Sequence, residues 1–219
     1  NGATGALISI LRGSTAGDQA GLGGVTALSN GNYVVASPNW GNSAIVDAGA
    51  ATWGSGTTGV SGVVSAANSL VGSAAGDLVG GGTVTALSNG NYVVSSQYWN
   101  NGAVVAAGAA TWGSGSTGVS GVVSAANSLV GSTANDQVSS DGVTALSNGN
   151  YVVSSPSWDN GAVTGAGAAT WGSGTTGVIG VVSAANSLVG STVSDFVGES
   201  GVTALSNGNY VVRSAIWDN

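Results

Sequence analysis

The decapeptide TALSNGNYVV occurs four times without a change, at residues 26–35, 85–94, 144–153 and 203–212. The spacing is 59 residues each time, and the same shift superimposes Tyr33, Tyr92, Tyr151 and Tyr210. It also aligns Trp40, Trp99, Trp158 and Trp217, and then Asp18, Asp77, Asp136 and Asp195. A second tryptophan series falls at Trp53, Trp112 and Trp171, and VVSAANSLVG recurs at 63–72, 122–131 and 181–190. A fixed period of this length is the mark of stacked repeats, each burying against the next what it cannot bury alone. The chain therefore reads as one repeat domain over 1–219. Its approximate units are 1–59, 60–118, 119–177 and an incomplete 178–219.

Within a unit, GVTAL and NYVVSSPSW are β-rich runs separated by SNG. The Asn-Gly pair takes the positive φ values of a tight hairpin turn, so LSNGNYVV predicts a hairpin. GAATWGSG, bounded by glycines, is a third strand, and SGVVSAANSLVGS is a fourth, with SAANSL extended or irregular rather than helical. These strands do not alternate apolar with polar residues; Val, Ala, Ser and Gly fill both faces. A sheet wet on one side alternates. Small residues on both faces suit a sheet held closely between two others, and four short strands per unit is the pattern of a β-propeller blade. The expected fold is an all-β propeller of about four blades, and a β-solenoid is the alternative. The tight antiparallel turn argues against parallel coils.

Composition excludes several functions. The 219 residues contain 40 Gly but only two Pro and no Gly-X-Y period, so collagen is excluded, and 42% hydrophobic with 5% charged residues excludes disorder. There is no His, Cys, Met or Lys; Arg12 and Arg213 are the cations, and the net charge is −7. Two arginines cannot neutralise a nucleic-acid backbone, and an anionic membrane surface is disfavoured for the same reason. No uninterrupted run of about 18 apolar residues suggests a membrane helix. Charge-poor repeats rich in Gly, Ser, Thr and Asn suggest a secreted or cell-surface bacterial protein. The start at Asn1 suggests a processed or excised piece of a larger product.

The unit beginning at Leu129 resembles the FG-GAP repeat of integrin α-chain propellers. DQVSS (136–140), VVSSP (152–156) and GAATWG (167–172) stand in the places of that family's elements, and SDFVGES (194–200) is closer still. The repeats are also similar to those of filamentous-haemagglutinin-type surface adhesins. The resemblance implies propeller blades and an adhesive role. It does not extend to the family's Ca²⁺ loop, because SNGN offers no carboxylate where a hard cation needs six to eight oxygens. No cofactor or metal is expected.

The end sequences depart from the repeat. The N-terminal TGALISILR is expected to supply the strand missing after Trp217 and close the ring, bringing Arg12 and Arg213 to one seam. The alternative is a ring shared between two chains. Counting by 59 places Leu11 on Leu70, in the fourth strand, whereas matching the glycines places residues 1–10 on the third.

Lack of His, Cys and Lys removes the common triads and Schiff-base sites, so no catalytic residue is expected. Asp18, Asp77, Asp136 and Asp195 could form a ring of carboxylates, but a structural reading is favoured, in which each accepts backbone N–H groups in a turn. Trp40, Trp99, Trp158 and Trp217, beside Asn100, Asp159 and Asp218, are candidates for stacking on a sugar at blade-edge loops. Against this stands burial between blades, the commoner fate of a large aromatic. Asn68, Asn127 and Asn186 are expected to bond backbone, and the GSGTTG loops to be solvated turns. The leading function is a non-enzymatic, adhesin-like module with multivalent binding of a glycan or surface partner. The alternative is a structural spacer or self-assembling subunit without a small ligand, and an enzyme using an acidic pair ranks third.

Overall fold

Every unit is built on one hairpin, and the turn that makes it is set by a single glycine. Gly31 donates to the Leu28 carbonyl at 3.0 Å and Leu28 donates to Asn32 at 2.8 Å. Gly31 alone carries a positive φ, +85°, so Asn30 keeps an ordinary backbone. This corrects the expected Asn-Gly turn: four residues turn the chain and the glycine follows as a bulge. The Asn30 side chain is thereby free to accept from Asn32 N–H at 3.1 Å and to reach beyond its own unit.

The computed structural model describes residues 1–218. Its strands are β1 (Leu11–Arg12), then β2 (Val25–Ala27), β3 (Tyr33–Ser37), β4 (Ala50–Gly54), β5 (Gly62–Val63) and β6 (Leu70–Val71). The second unit repeats this as β7 (Val84–Ala86), β8 (Tyr92–Ser96), β9 (Ala109–Gly113), β10 (Gly121–Val122) and β11 (Leu129–Val130). The third has β12 (Val143–Ala145), β13 (Tyr151–Ser155), β14 (Ala168–Gly172), β15 (Gly180–Val181) and β16 (Ser187–Val189). The last has β17 (Val202–Ala204) and β18 (Tyr210–Val212). The chain is all-β, and the described residues contain no helix that could cross a membrane.

The expected single fourth strand is two strands with different partners. β6 completes its own antiparallel sheet beside β4, whereas β10 of the next unit crosses over and pairs parallel with β6, Gly121 against Leu70. β5 and β15 do the same against β1 and β11. The sheets of the first two units thus have the order β2-β3-β4-β6 or β7-β8-β9-β11 plus one strand lent by the following unit, and the third, β12-β13-β14-β16, has four strands. Between the two halves the chain turns at Ala66–Asn68, where Asn68 accepts from Ser65 N–H at 2.9 Å and donates to the Val63 carbonyl at 2.9 Å. The sequence assigned these asparagines to backbone bonding, and Asn127 and Asn186 repeat both bonds. A boundary at 59–60 falls between β4 and β6, which pair with each other.

The strands are buried on both faces where a unit has neighbours on both sides. All residues of β8 and β13 are buried, whereas β18 in the last unit is half exposed. Close approach is possible because the residues are small. Tyr92 lies across its register partner Gly113, where a Cβ would sit 2.3 Å from the phenol ring. Thr111 and Ser128 bond to each other at 2.7 Å inside the sheet, satisfying two hydroxyls that would otherwise be stranded.

The ring does not close. β1 pairs with β5 of the first unit rather than completing the last sheet, so the expected N-terminal closure is not formed. Arg12 pairs with Val63, and β17–β18 stand as a two-stranded sheet. Counting by 59 gave the correct register for Leu11. The physical reason is that residues 11–18 repeat 70–77 and find, in β5, the partner that β6 finds in β10.

Candidate functional site

The repeated residues meet at the seam between units. The carbonyl of Gly115, in the GSG loop of the second unit, receives Asn30 Nδ2 at 2.8 Å, Asn32 Nδ2 at 2.7 Å and Trp53 Nε1 at 2.9 Å from the first. The carbonyl of Gly174 receives Asn89, Asn91 and Trp112 in the same way, at 2.7, 2.7 and 3.1 Å. Thr26 and Ser29 donate to Val84 and Ser88 of the next unit, both at 3.4 Å. This answers what the identical decapeptide does: Thr26, Ser29, Asn30 and Asn32 each bond the next unit, and Tyr33 packs on its cross-strand glycine Gly54. The GSG loops are therefore acceptors at the seam as well as turns. Sequence reasoning missed them because a glycine carbonyl carries no side-chain signal.

The backbone adds a second set of links. Gly121 N–H donates to Ser69 at 3.0 Å and Val123 N–H to Val71 at 3.1 Å, along the parallel pair of β10 with β6. The four Ala-Leu-Ser triplets beginning at Ala27, Ala86, Ala145 and Ala204 line one shallow open depression of about 730 Å³. Ser147 Oγ lies 3.2 Å from both the Leu205 and Ser206 carbonyls at its wall.

The tryptophan candidates lie elsewhere than expected. Trp40, Trp99 and Trp158 are 2–4% exposed and packed in the core, which corrects the expectation of indoles on open loops. They are buried because each is followed by a turn that folds back over it: Gly108 N–H donates to the Trp99 carbonyl at 2.9 Å. Trp217 is 53% exposed. The neighbouring polar residues brace the turn. Asn100 donates through N–H and Nδ2 to Asp77 Oδ1 at 3.0 and 2.8 Å, and accepts from Ala106 N–H at 2.9 Å. Asp159 donates N–H to Asp136 and accepts from Gly165 N–H at 2.7 Å; Asp218 donates N–H to Asp195 at 3.1 Å.

Asp18, Asp77, Asp136 and Asp195 are buried turn acceptors. Asp77 Oδ2 takes Ser73 N–H and Ala74 N–H, both at 2.8 Å, and the other three repeat this pair. Burial alone would raise these carboxyls. At Asp18 the Thr15 backbone and hydroxyl, with Gly41 N–H and Ser14, outweigh it and hold the carboxyl at about 2. At Asp195 burial is likewise outweighed by Thr192, Asp218 and Ser191, again giving about 2. At Asp136 burial wins over its backbone bonds, the Asp159 charge adds to it, and the carboxyl is raised above 3.8. Thr15 and Thr192 donate their hydroxyls to the carboxylate, and among the described residues no such hydroxyl bond forms at Asp136.

The consequence for pH has opposite signs. Asp18, depressed when folded, contributes stability that is present above its ordinary 3.8 and is lost as pH falls toward 2. Asp136, raised when folded, contributes stability at acid pH that is lost as pH rises through its elevated value. Side-chain carboxyl NMR should find Asp18 and Asp195 still titrating near pH 2 and Asp136 titrating above 3.8. A common midpoint for all three would refute the role given to the threonine hydroxyls.

The architecture and seam define an open tandem-repeat β protein. The family model for a repeat of unknown function, DUF5650, matches residues 27–81, 86–140, 145–199 and 204–219, and the chain belongs to that family. The match supports the tandem repeat and brings no FG-GAP or adhesin link. No curated protein matches the chain.

Proposed function

We propose that the chain is a non-enzymatic structural array, a spacer whose repeats hold distance in a secreted or cell-surface bacterial protein. The observation that carries this reading is the use of the repeated polar side chains: the hairpin asparagines and Trp53 or Trp112 converge on one glycine carbonyl of the next unit. The reading treats the units as an open arc of propeller-like blades whose hairpins face one depression, with parallel strand exchange as a solenoid-like tie. Composition supports the surface location. Binding of glycans at repeated loop tryptophans gains no support from geometry, since three of the four indoles are buried. An acidic catalytic pair gains none either, because each buried Asp is held by at least three donors of its own turn and loop.

A spacer needs seams as firm as its sheets. Native-state hydrogen exchange tests this, because local openings show as amides that exchange at less than the global free energy. Gly121 and Val123 N–H, which bridge to β6, should be as protected as Val152 within β13, which has a strand on either side. Fast exchange at the seam with slow exchange in the sheets would show independent units and overturn the reading.

A further inference from the structure

Asn-Gly pairs stand at two places in the repeat. One is inside the decapeptide, as Asn30–Gly31, Asn89–Gly90 and Asn148–Gly149 in the first three units. The other is Asn101–Gly102 and Asn160–Gly161, in the loop after the buried Trp99 and Trp158; the first unit has Asn42–Ser43 there. In such a pair the side-chain amide is open to attack by its own chain, because glycine has no Cβ to shield its nitrogen. The two places hold the pair differently. In the decapeptide both partners are engaged. Gly31 N–H donates to the Leu28 carbonyl at 3.0 Å, Asn30 Oδ1 accepts from Asn32 N–H at 3.1 Å, and Asn30 Nδ2 donates to Gly115 at 2.8 Å. Asn89 repeats all three bonds, and Asn148 does so with Nδ2 on the Gly208 carbonyl at 3.2 Å. In the loop only the amide nitrogen is held, Asn101 Nδ2 on the Gly131 carbonyl at 3.0 Å and Asn160 Nδ2 on Gly190 at 3.3 Å. Gly102 and Gly161 lie exposed in a tight turn with φ +62°, and their N–H groups bond nothing among the described residues. Nothing lies within 4 Å of where a Cβ would stand on either.

We propose that Asn101 and Asn160 are sites of spontaneous deamidation, and that the seam shields the decapeptide asparagines from the same reaction. The Gly102 nitrogen gives its proton to hydroxide and attacks Asn101 Cγ. The new N–Cγ bond closes a succinimide ring as the Cγ–Nδ2 bond breaks. Nδ2 takes a proton from water and leaves as ammonia, which regenerates the hydroxide. Water then opens the ring at either carbonyl, giving aspartate or isoaspartate. To react, the loop amide gives up one hydrogen bond. The decapeptide pair gives up two more, which slows it by about tenfold or more. The product carries a carboxylate where Asn101 donated to Gly131, so the loop that folds over Trp99 loses that bond. The bonds of Asn30 and Asn89 to the next unit stay in place while the loops gain negative charge. The inference goes beyond the spacer reading, which assigns no chemistry to the loops.

Incubation of the folded 219-residue chain in mildly alkaline buffer, then cleavage after the aromatic residues and mass spectrometry, tests it. The peptides Asn100–Trp112 and Asp159–Trp171 should convert, each gaining an acidic group at the asparagine before glycine. Gly54–Tyr92, which holds Asn89, should convert about tenfold more slowly or less. Gly41–Trp53, with serine after Asn42, should lag behind both loop peptides. Gly102→Ser copies the first unit's turn, where Ser43 has φ +60°, and should slow Asn101 while Asn160 in the same chain is unchanged. In urea the shielding should vanish, and Asn89 should convert as fast as Asn101. Equal rates in the folded chain would overturn the proposal. So would loop peptides that stay unconverted, folded or in urea, or a conversion of Asn101 that Gly102→Ser does not slow.

Discussion

Gly108→Ala should destabilise the chain by about 3 kcal/mol or more, the sum of a left-handed backbone penalty and an overpacking penalty. Gly108 has φ +75°, and a Cβ there would lie 2.2 Å from the Val138 nitrogen. The backbone cannot retreat. Gly108 N–H donates to the Trp99 carbonyl at 2.9 Å, its own carbonyl accepts from Gly131 N–H at 3.2 Å, and it forms the parallel bridge with Val138. Gly49 and Gly167 hold the equivalent positions against Val79 and Val197. Gly102 separates the two effects, since its φ is +62° with nothing within 4 Å of a Cβ. Gly102→Ala should therefore lose only the backbone part, about 1 kcal/mol. Urea unfolding of both variants decides the matter: equal losses would mean that close approach at Val138 contributes nothing.

The features that could be read from the sequence are those whose cause is local. The hairpin at SNGN, the capping by Asn68 and the turn at Asp77 depend on residues within about five positions, and the period announces their repetition. Burial on both faces was also legible, because Val, Ala, Ser and Gly leave no polar face. The turn geometry was not, because Asn30 is held by a carbonyl 85 residues away. The splitting of the fourth strand was missed for the same reason: Gly121 and Val122 have the composition of any short strand, and their partners lie in the preceding unit. At the tryptophans the local pattern pointed two ways. A Trp beside Asn or Asp after a strand looks the same whether the loop opens outward or folds back, and the folding back depends on the glycine bridge at residue 108.

The buried and half-buried indoles should respond to phenylalanine in the opposite order to their exposure. Trp99 is 3% exposed, and its Nε1–H has no hydrogen-bond partner among the described residues; Trp40 and Trp158 share both features. A buried donor without a partner is a penalty of about 1–3 kcal/mol already present in the native protein. Trp99→Phe removes that donor while leaving a modest cavity, and the two effects should offset to within about 1 kcal/mol. Trp99→Ala removes the packing as well and should lose about 3–5 kcal/mol, enough to unfold a marginal domain. Trp112 is more exposed, yet its Nε1–H donates across the seam to Gly174 at 3.1 Å. Trp112→Phe should therefore lose about 1–2 kcal/mol and loosen the joint between the second and third units. Thermal unfolding of the three variants checks the ranking. A loss above about 2 kcal/mol for Trp99→Phe would mean that its indole N–H is bonded in solution, and the conclusion that Trp99 serves by packing alone would fall.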